Sequence, residues 1–79
     1  MKTFGDLEQG DSIFIVTQDE IKECKLQATG DYITRIVYFT DLGELFIEPE
    51  DRKKYYTYDE EVGIMVSDKE LIDFIKLAS

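Results

Sequence analysis

Short apolar runs, most with a period near two, fill the middle of the chain, and one run with a helical period closes it. Residues 12–17 read Ser-Ile-Phe-Ile-Val-Thr. That run is apolar on both faces, which predicts a central strand or one wrapped inside a barrel. Residues 21–28 alternate, with Cys24, Leu26 and Ala28 on one face and Glu23, Lys25 and Gln27 on the other. Residues 32–40 predict a third strand, with Ile33, Val37 and Phe39 opposite Ile36 and Tyr38. Residues 44–48 predict a fourth, and Pro49, which has no N–H to donate, should end its ladder. A short helical turn is expected over 50–54. A fifth strand is expected within 55–66, strongest at 62–66. Gly10-Asp11, Gly30-Asp31 and Asp41-Leu42-Gly43 read as the turns between them. Ahead of the first strand, residues 3–9 predict a helical turn capped by Thr3, with Asp6 in its first turn and Phe4 and Leu7 on one face.

The closing run carries the sharpest local signal. Ser67-Asp68-Lys69-Glu70 has the spacing of a capping box, and Val66 and Leu71 stand where a hydrophobic staple would. The helix predicted over 68–78 places Leu71, Phe74, Ile75 and Ala78 on one stripe and Lys69, Asp73 and Lys76 opposite. A helix this short is not stable alone in water, so it must dock, either onto its own sheet or, as a binding surface, into a partner's groove. The expectation is a lid over the open end of the barrel, with Phe74 buried.

The chain's 79 residues make one domain, 1–79, with the barrel over about 11–66. Five Phe and five Tyr can fill a small core without staples. Nine basic residues stand against eighteen acidic ones, and there is no histidine. That removes a His-dependent triad, a His-ligated zinc and imidazole acid/base chemistry within one chain. The single Cys24 removes an internal disulfide and a multi-Cys metal site. A formal charge of -9 argues against a general nucleic-acid binder, which needs cations to displace phosphate counterions. No long apolar run marks a secretory signal or a membrane span, and Met1 stands at the start. With one unpaired cysteine, the expected compartment is the reducing cytoplasm, with no membrane partner.

The opening Phe4-x-x-Leu7-x-x-Gly10-Asp11-x-Ile13 resembles the entry to small SH3-like barrels, in which a Gly-Asp turn launches the first strand. The turn after Pro49 falls where such barrels carry a one-turn helix. The resemblance covers residues 3–66 and implies a mainly β (α+β) fold: a five-stranded antiparallel SH3-like barrel with a short N-terminal helical turn and an added C-terminal capping helix. The chain also resembles small proteins of gut bacteria and their phages. Peptide-binding SH3 domains use aromatic residues with acidic neighbours. Tyr55, Tyr56 and Tyr58 beside Asp59, Glu60 and Glu61 supply those residue types without the family's ordered groove motif.

Four other features carry residue types that could support chemistry. Arg52, Lys53 and Lys54 followed by the tyrosines could grip a phosphate backbone and stack bases. Across 48–61, however, six acidic residues outnumber three basic ones, and phosphate affinity needs a positive field. Glu48, Glu50, Asp51, Asp59, Glu60 and Glu61 are ligand types for calcium, but the EF-hand order is missing and a solvated acidic rim explains them. Cys24 is in phase with Leu26 and reads as a small buried hydrophobe, because no base is present to activate it. The glycines form no phosphate loop.

No catalytic, metal-binding or cofactor-binding residue is therefore expected, and no cofactor. The reading is a non-enzymatic module, monomeric or a small homo-oligomer, that binds another protein through Tyr55, Tyr56, Tyr58, Asp59, Glu60 and Glu61. Two alternatives stand beside it. One is an acidic DNA mimic that occupies a cationic surface of another protein. The other is a nucleic-acid-binding barrel centred on residues 52–58.

Overall fold

Six antiparallel strands form one curled sheet, a half-barrel, and one helix follows. The structure, a computed structural model, describes residues 1–78, with side chains described through residue 75. The strands are β1 (Ser12–Val16), β2 (Ile21–Asp31), β3 (Ile36–Thr40), β4 (Gly43–Ile47), β5 (Tyr56–Asp59) and β6 (Gly63–Val66), and the helix is α1 (Glu70–Ala78). Two 3-10 turns, Phe4–Asp6 and Pro49–Lys53, stand where the sequence places helical turns. Strand order is β4-β3-β2-β1-β6-β5, so β4 and β5 are the two edges.

The mainly β class with a terminal helix holds, but the strand count is six rather than five. Region 55–66 is a hairpin, not one strand. Asp59 Oδ1 accepts the amides of Glu61 and Val62 at 2.7 and 3.2 Å, which turns the chain. Gly63 then takes φ 109°, and a Cβ there would meet the Val16 carbonyl oxygen at 3.0 Å. Only glycine meets both demands.

Gly30 and Asp31 are not a turn either; they are the end of β2. Gly30 pairs with Val37, whose Cγ1 would lie 3.3 Å from a Cβ at position 30, and Val37 is fully buried. The missing side chain makes that room. The register shifts between Leu26 and Ala28, and this irregularity bends β2 so that its two halves serve β1 and β3. It also breaks the predicted alternation: Cys24 and Leu26 are buried, whereas Ala28 is exposed. The reversal instead occupies 32–35, where the Tyr32 amide donates to the Arg35 carbonyl at 2.8 Å. Ile33, expected in a strand, stands fully exposed in it.

Inward residues of the strands build the main core. Ile13 and Ile15 of β1 meet Cys24 and Leu26 of β2, Ile36 and Tyr38 of β3, Leu45 and Ile47 of β4, and Met65 of β6. Phe4 is buried in the same core. Its ring stacks on Tyr38 at 6.3 Å, and the Tyr38 hydroxyl donates to the Phe4 carbonyl at 2.6 Å.

The helix lies elsewhere. On the outer face of the sheet, Val16 and Val66 are covered by Ile72, with Phe14, Ile64, Leu71 and Ile75 around them. The expected lid is thus corrected: α1 covers the back of β1 and β6, while Phe4 fills the inner core. Phe74, expected to be buried, is 70% exposed, and Ile72 takes the central position. The side chains of Lys76 and Ala78 in the predicted pattern lie outside the described residues.

Ser67 does not perform the predicted capping. Its hydroxyl donates to the carbonyls of Lys2 at 2.7 Å and Tyr55 at 3.0 Å. Asp68 Oδ1 instead accepts the Glu70 amide at 2.9 Å, at the start of α1.

Candidate functional site

Strand β5 sits at one edge of the sheet and carries two exposed tyrosines, with a third just before it. Its alternation is Tyr56 out, Thr57 in, Tyr58 out, Asp59 in. Tyr56 and Tyr58 are 58% and 70% exposed, and Tyr55 just before the strand is 36% exposed. With Ile64 of β6 as floor and Lys53 and Lys54 at one end, the three tyrosines line an open hollow of about 780 Å³ on the outer face. Tyrosine rings offer large area at small entropic loss and a hydroxyl for polar contact, so such a hollow suits a protein ligand.

A second hollow, about 460 Å³, lies on the other side of β5, in the seam between the two edge strands. Thr57, Asp59, Glu60 and Glu61 line it from the β5 side. Glu48 and Asp51 line it as well, as do Arg35 and Phe46. Five carboxylates therefore face one guanidinium, and that one is already 3.8 Å from Glu48.

The sequence-predicted residues thus divide between the two hollows. Tyr55, Tyr56 and Tyr58 line the outer one, and Asp59, Glu60 and Glu61 line the seam, which Tyr58 also borders. Ile64, Thr57 and Arg35 were missed. Their signal was the Asp59 to Gly63 turn, which makes β5 an edge with two accessible sides.

The cation triplet is largely engaged. Arg52 pairs with Asp31 and Lys54 with Asp51, each at 3.1 Å. Asp51 is buried and also accepts the Glu48 amide at 3.0 Å, which fixes the second 3-10 turn. Among the described residues, no three carboxylates or thiols come together in a way that could hold a metal ion. Cys24 is fully buried, and burial pushes its thiol pKa up, away from nucleophilic character. Burial likewise raises Tyr38. No helix among the described residues is long and apolar enough to cross a membrane.

No protein-family model matches the chain, and no curated protein and no solved structure matches it.

Proposed function

We propose that this chain is a small acidic, non-enzymatic interaction module that contacts another protein through β5. The observation that carries the reading is the row of exposed tyrosines, Tyr55, Tyr56 and Tyr58, on an edge strand that ends in the acidic turn of Asp59, Glu60 and Glu61. Exposed aromatic rings in a row lose solvent-facing area when covered, and tyrosine is enriched in the buried centres of interfaces. A phosphate-binding surface would need free cations, but Arg52 and Lys54 are paired with aspartates. A DNA mimic would need an unbroken row of carboxylates, and here the tyrosine hollow and Lys53 interrupt it. The proposal keeps the likeness of residues 3–66 to small SH3-like barrels. What supports it is the Gly10-Asp11 turn ahead of β1 and the 3-10 turn at Pro49–Lys53, although two strands follow that turn where the resemblance implies one.

Site-specific photo-cross-linking in the source cells tests it. A photoreactive phenylalanine is placed at Tyr56, at Tyr58 or, as a control, at Ile33, each on its own. Adducts with another protein from positions 56 and 58 but not from 33 support the reading. Adducts from position 33 alone, or from no position, refute it.

A further inference from the structure

We infer that the free edge of β5 accepts one more strand: an extended segment of a partner protein in which apolar residues alternate with lysines or arginines. This rests on the interaction reading above and adds to it the partner's chemistry and the way it is held.

The backbone is the first argument. In the β5–β6 ladder, Tyr56 faces Val66, Thr57 faces Met65 and Tyr58 faces Ile64. Ser67 donates its amide to the Tyr55 carbonyl at 2.8 Å, one step further along the same ladder. Hydrogen-bonded and non-bonded pairs alternate in an antiparallel ladder, so Thr57 bonds to Met65, while Tyr56 and Tyr58 turn their N–H and C=O groups away from β6. Among the described residues, nothing lies beyond β5 in the strand order. Tyr56 and Tyr58 thus present two donors and two acceptors along an open edge, the arrangement that strand addition uses.

The two hollows are the second argument. An added strand sends successive side chains to opposite faces of the sheet. On the outer face they would enter the hollow of Tyr56, Tyr58 and Ile64, which takes apolar side chains. On the other face they would enter the seam, where Glu60 and Glu61 offer carboxylates to cations beside Asp59, whose Oδ1 holds the turn, and Glu48, which Arg35 already approaches. One periodicity therefore meets both surfaces: apolar, basic, apolar, basic. A second copy of this chain is disfavoured as the added strand. It would bring the same acidic turn and a further charge of -9 to the same edge.

The test uses the intact chain and a capped synthetic peptide of alternating lysine and valine, with a glutamate–valine peptide as its opposite. Amide hydrogen exchange is followed by NMR. The expected result is at least tenfold slower exchange at Tyr56 and Tyr58 with the lysine peptide, with little change at Thr57. Two N-methylated lysine peptides, each blocked on one alternate set of amides, should differ at least tenfold in affinity, because only one set faces β5. The double variant E60Q/E61Q should bind several-fold more weakly and with a shallower salt dependence. No binding at millimolar lysine peptide overturns the inference, as does equal binding of the glutamate peptide or of the two methylated forms. Shifted tyrosine ring signals without amide protection also overturn strand addition, yet leave the tyrosine face as a contact surface. Loss of the cross-links at positions 56 and 58 would instead sink the interaction reading itself.

Discussion

Ser67 and Asp68 share out two tasks that the spacing Ser-x-x-Glu assigns to Ser67 alone. The Ser67 hydroxyl ties the N-terminal segment at Lys2 to the start of the β5 hairpin at Tyr55, and Asp68 holds the first turn of the helix. Ser67→Ala is expected to destabilise by about 1–2 kcal/mol, since the Lys2 carbonyl loses its bond from the hydroxyl, while the Tyr55 carbonyl keeps the Ser67 amide. Its footprint should be faster amide exchange near Tyr55 and at the N-terminus, with the helix intact. Asp68→Ala should lose about 0.5–2 kcal/mol and fray the helix instead. Urea titration with residue-resolved exchange separates the two, and helix fraying in Ser67→Ala would restore Ser67 as the cap. The motif was legible, but its use was not. A serine three residues before a glutamate caps only if its hydroxyl is not claimed by carbonyls brought from elsewhere, and Lys2 is 65 residues away in the chain.

At the level of elements, type was readable, while the strand count and the orientation of the helix were not. The terminal helix lies close to the predicted span, and the 3-10 turns lie where Thr3 and Pro49 announce them. Its buried face, however, is centred on Ile72 rather than Phe74. Both faces of residues 70–75 carry large apolar groups, so periodicity could not choose between them. The choice belongs to the outer surface of β1 and β6, where Val16 and Val66 pack against Ile72. Ile72→Ala is accordingly expected to lose about 2–5 kcal/mol, and Phe74→Ala to stay within about 0.5 kcal/mol of the parent. Equal losses for the two variants in thermal or urea unfolding would mean the helix docks by another face. The fused reading of 55–66 failed for a different reason. Tyr55 to Val66 is rich in strand formers throughout, and the one interruption is Asp59 to Gly63, whose turn chemistry is local and was outweighed by that composition. Since that turn creates the β5 edge, the candidate residues were readable as types but not as two separate surfaces.

Across the whole molecule, charge sets the response to pH. Asp11 is held below its ordinary value of 3.8, first by the hydrogen bond from Lys2 and then by the Glu8 amide. Glu23 is held below 4.5, first by the Ser12 hydroxyl and then by Lys25. Both groups bind protons less readily when folded. Their contribution is therefore full above those ordinary values and is lost as pH falls through the lowered ones. Lys2 is raised above 10.5 by the same bond to Asp11, so its contribution is present below that value and fades above it. Stability should thus drop on the acid side below about pH 4. Asp11→Asn should flatten that drop, and an acid limb of unchanged steepness in urea midpoints taken from pH 2 to 7 would rule out Asp11 as a source.

The only thiol of the chain is sealed in the main core, at 0% exposure, where β2 pairs with β1 and Cys24 stands opposite Ile13. This makes Cys24 a built-in clock. Alkylating reagents cannot reach it while β1 and β2 stay paired, and burial raises its pKa, which keeps the thiolate scarce in the closed state. The rate of modification in native buffer should therefore equal the rate at which reagent meets the unfolded chain, scaled by the open fraction. Ile72→Ala should quicken it in step with its measured loss of stability. A rate indifferent to that variant would mean that the strands part around Cys24 by a local breath, without the helix letting go.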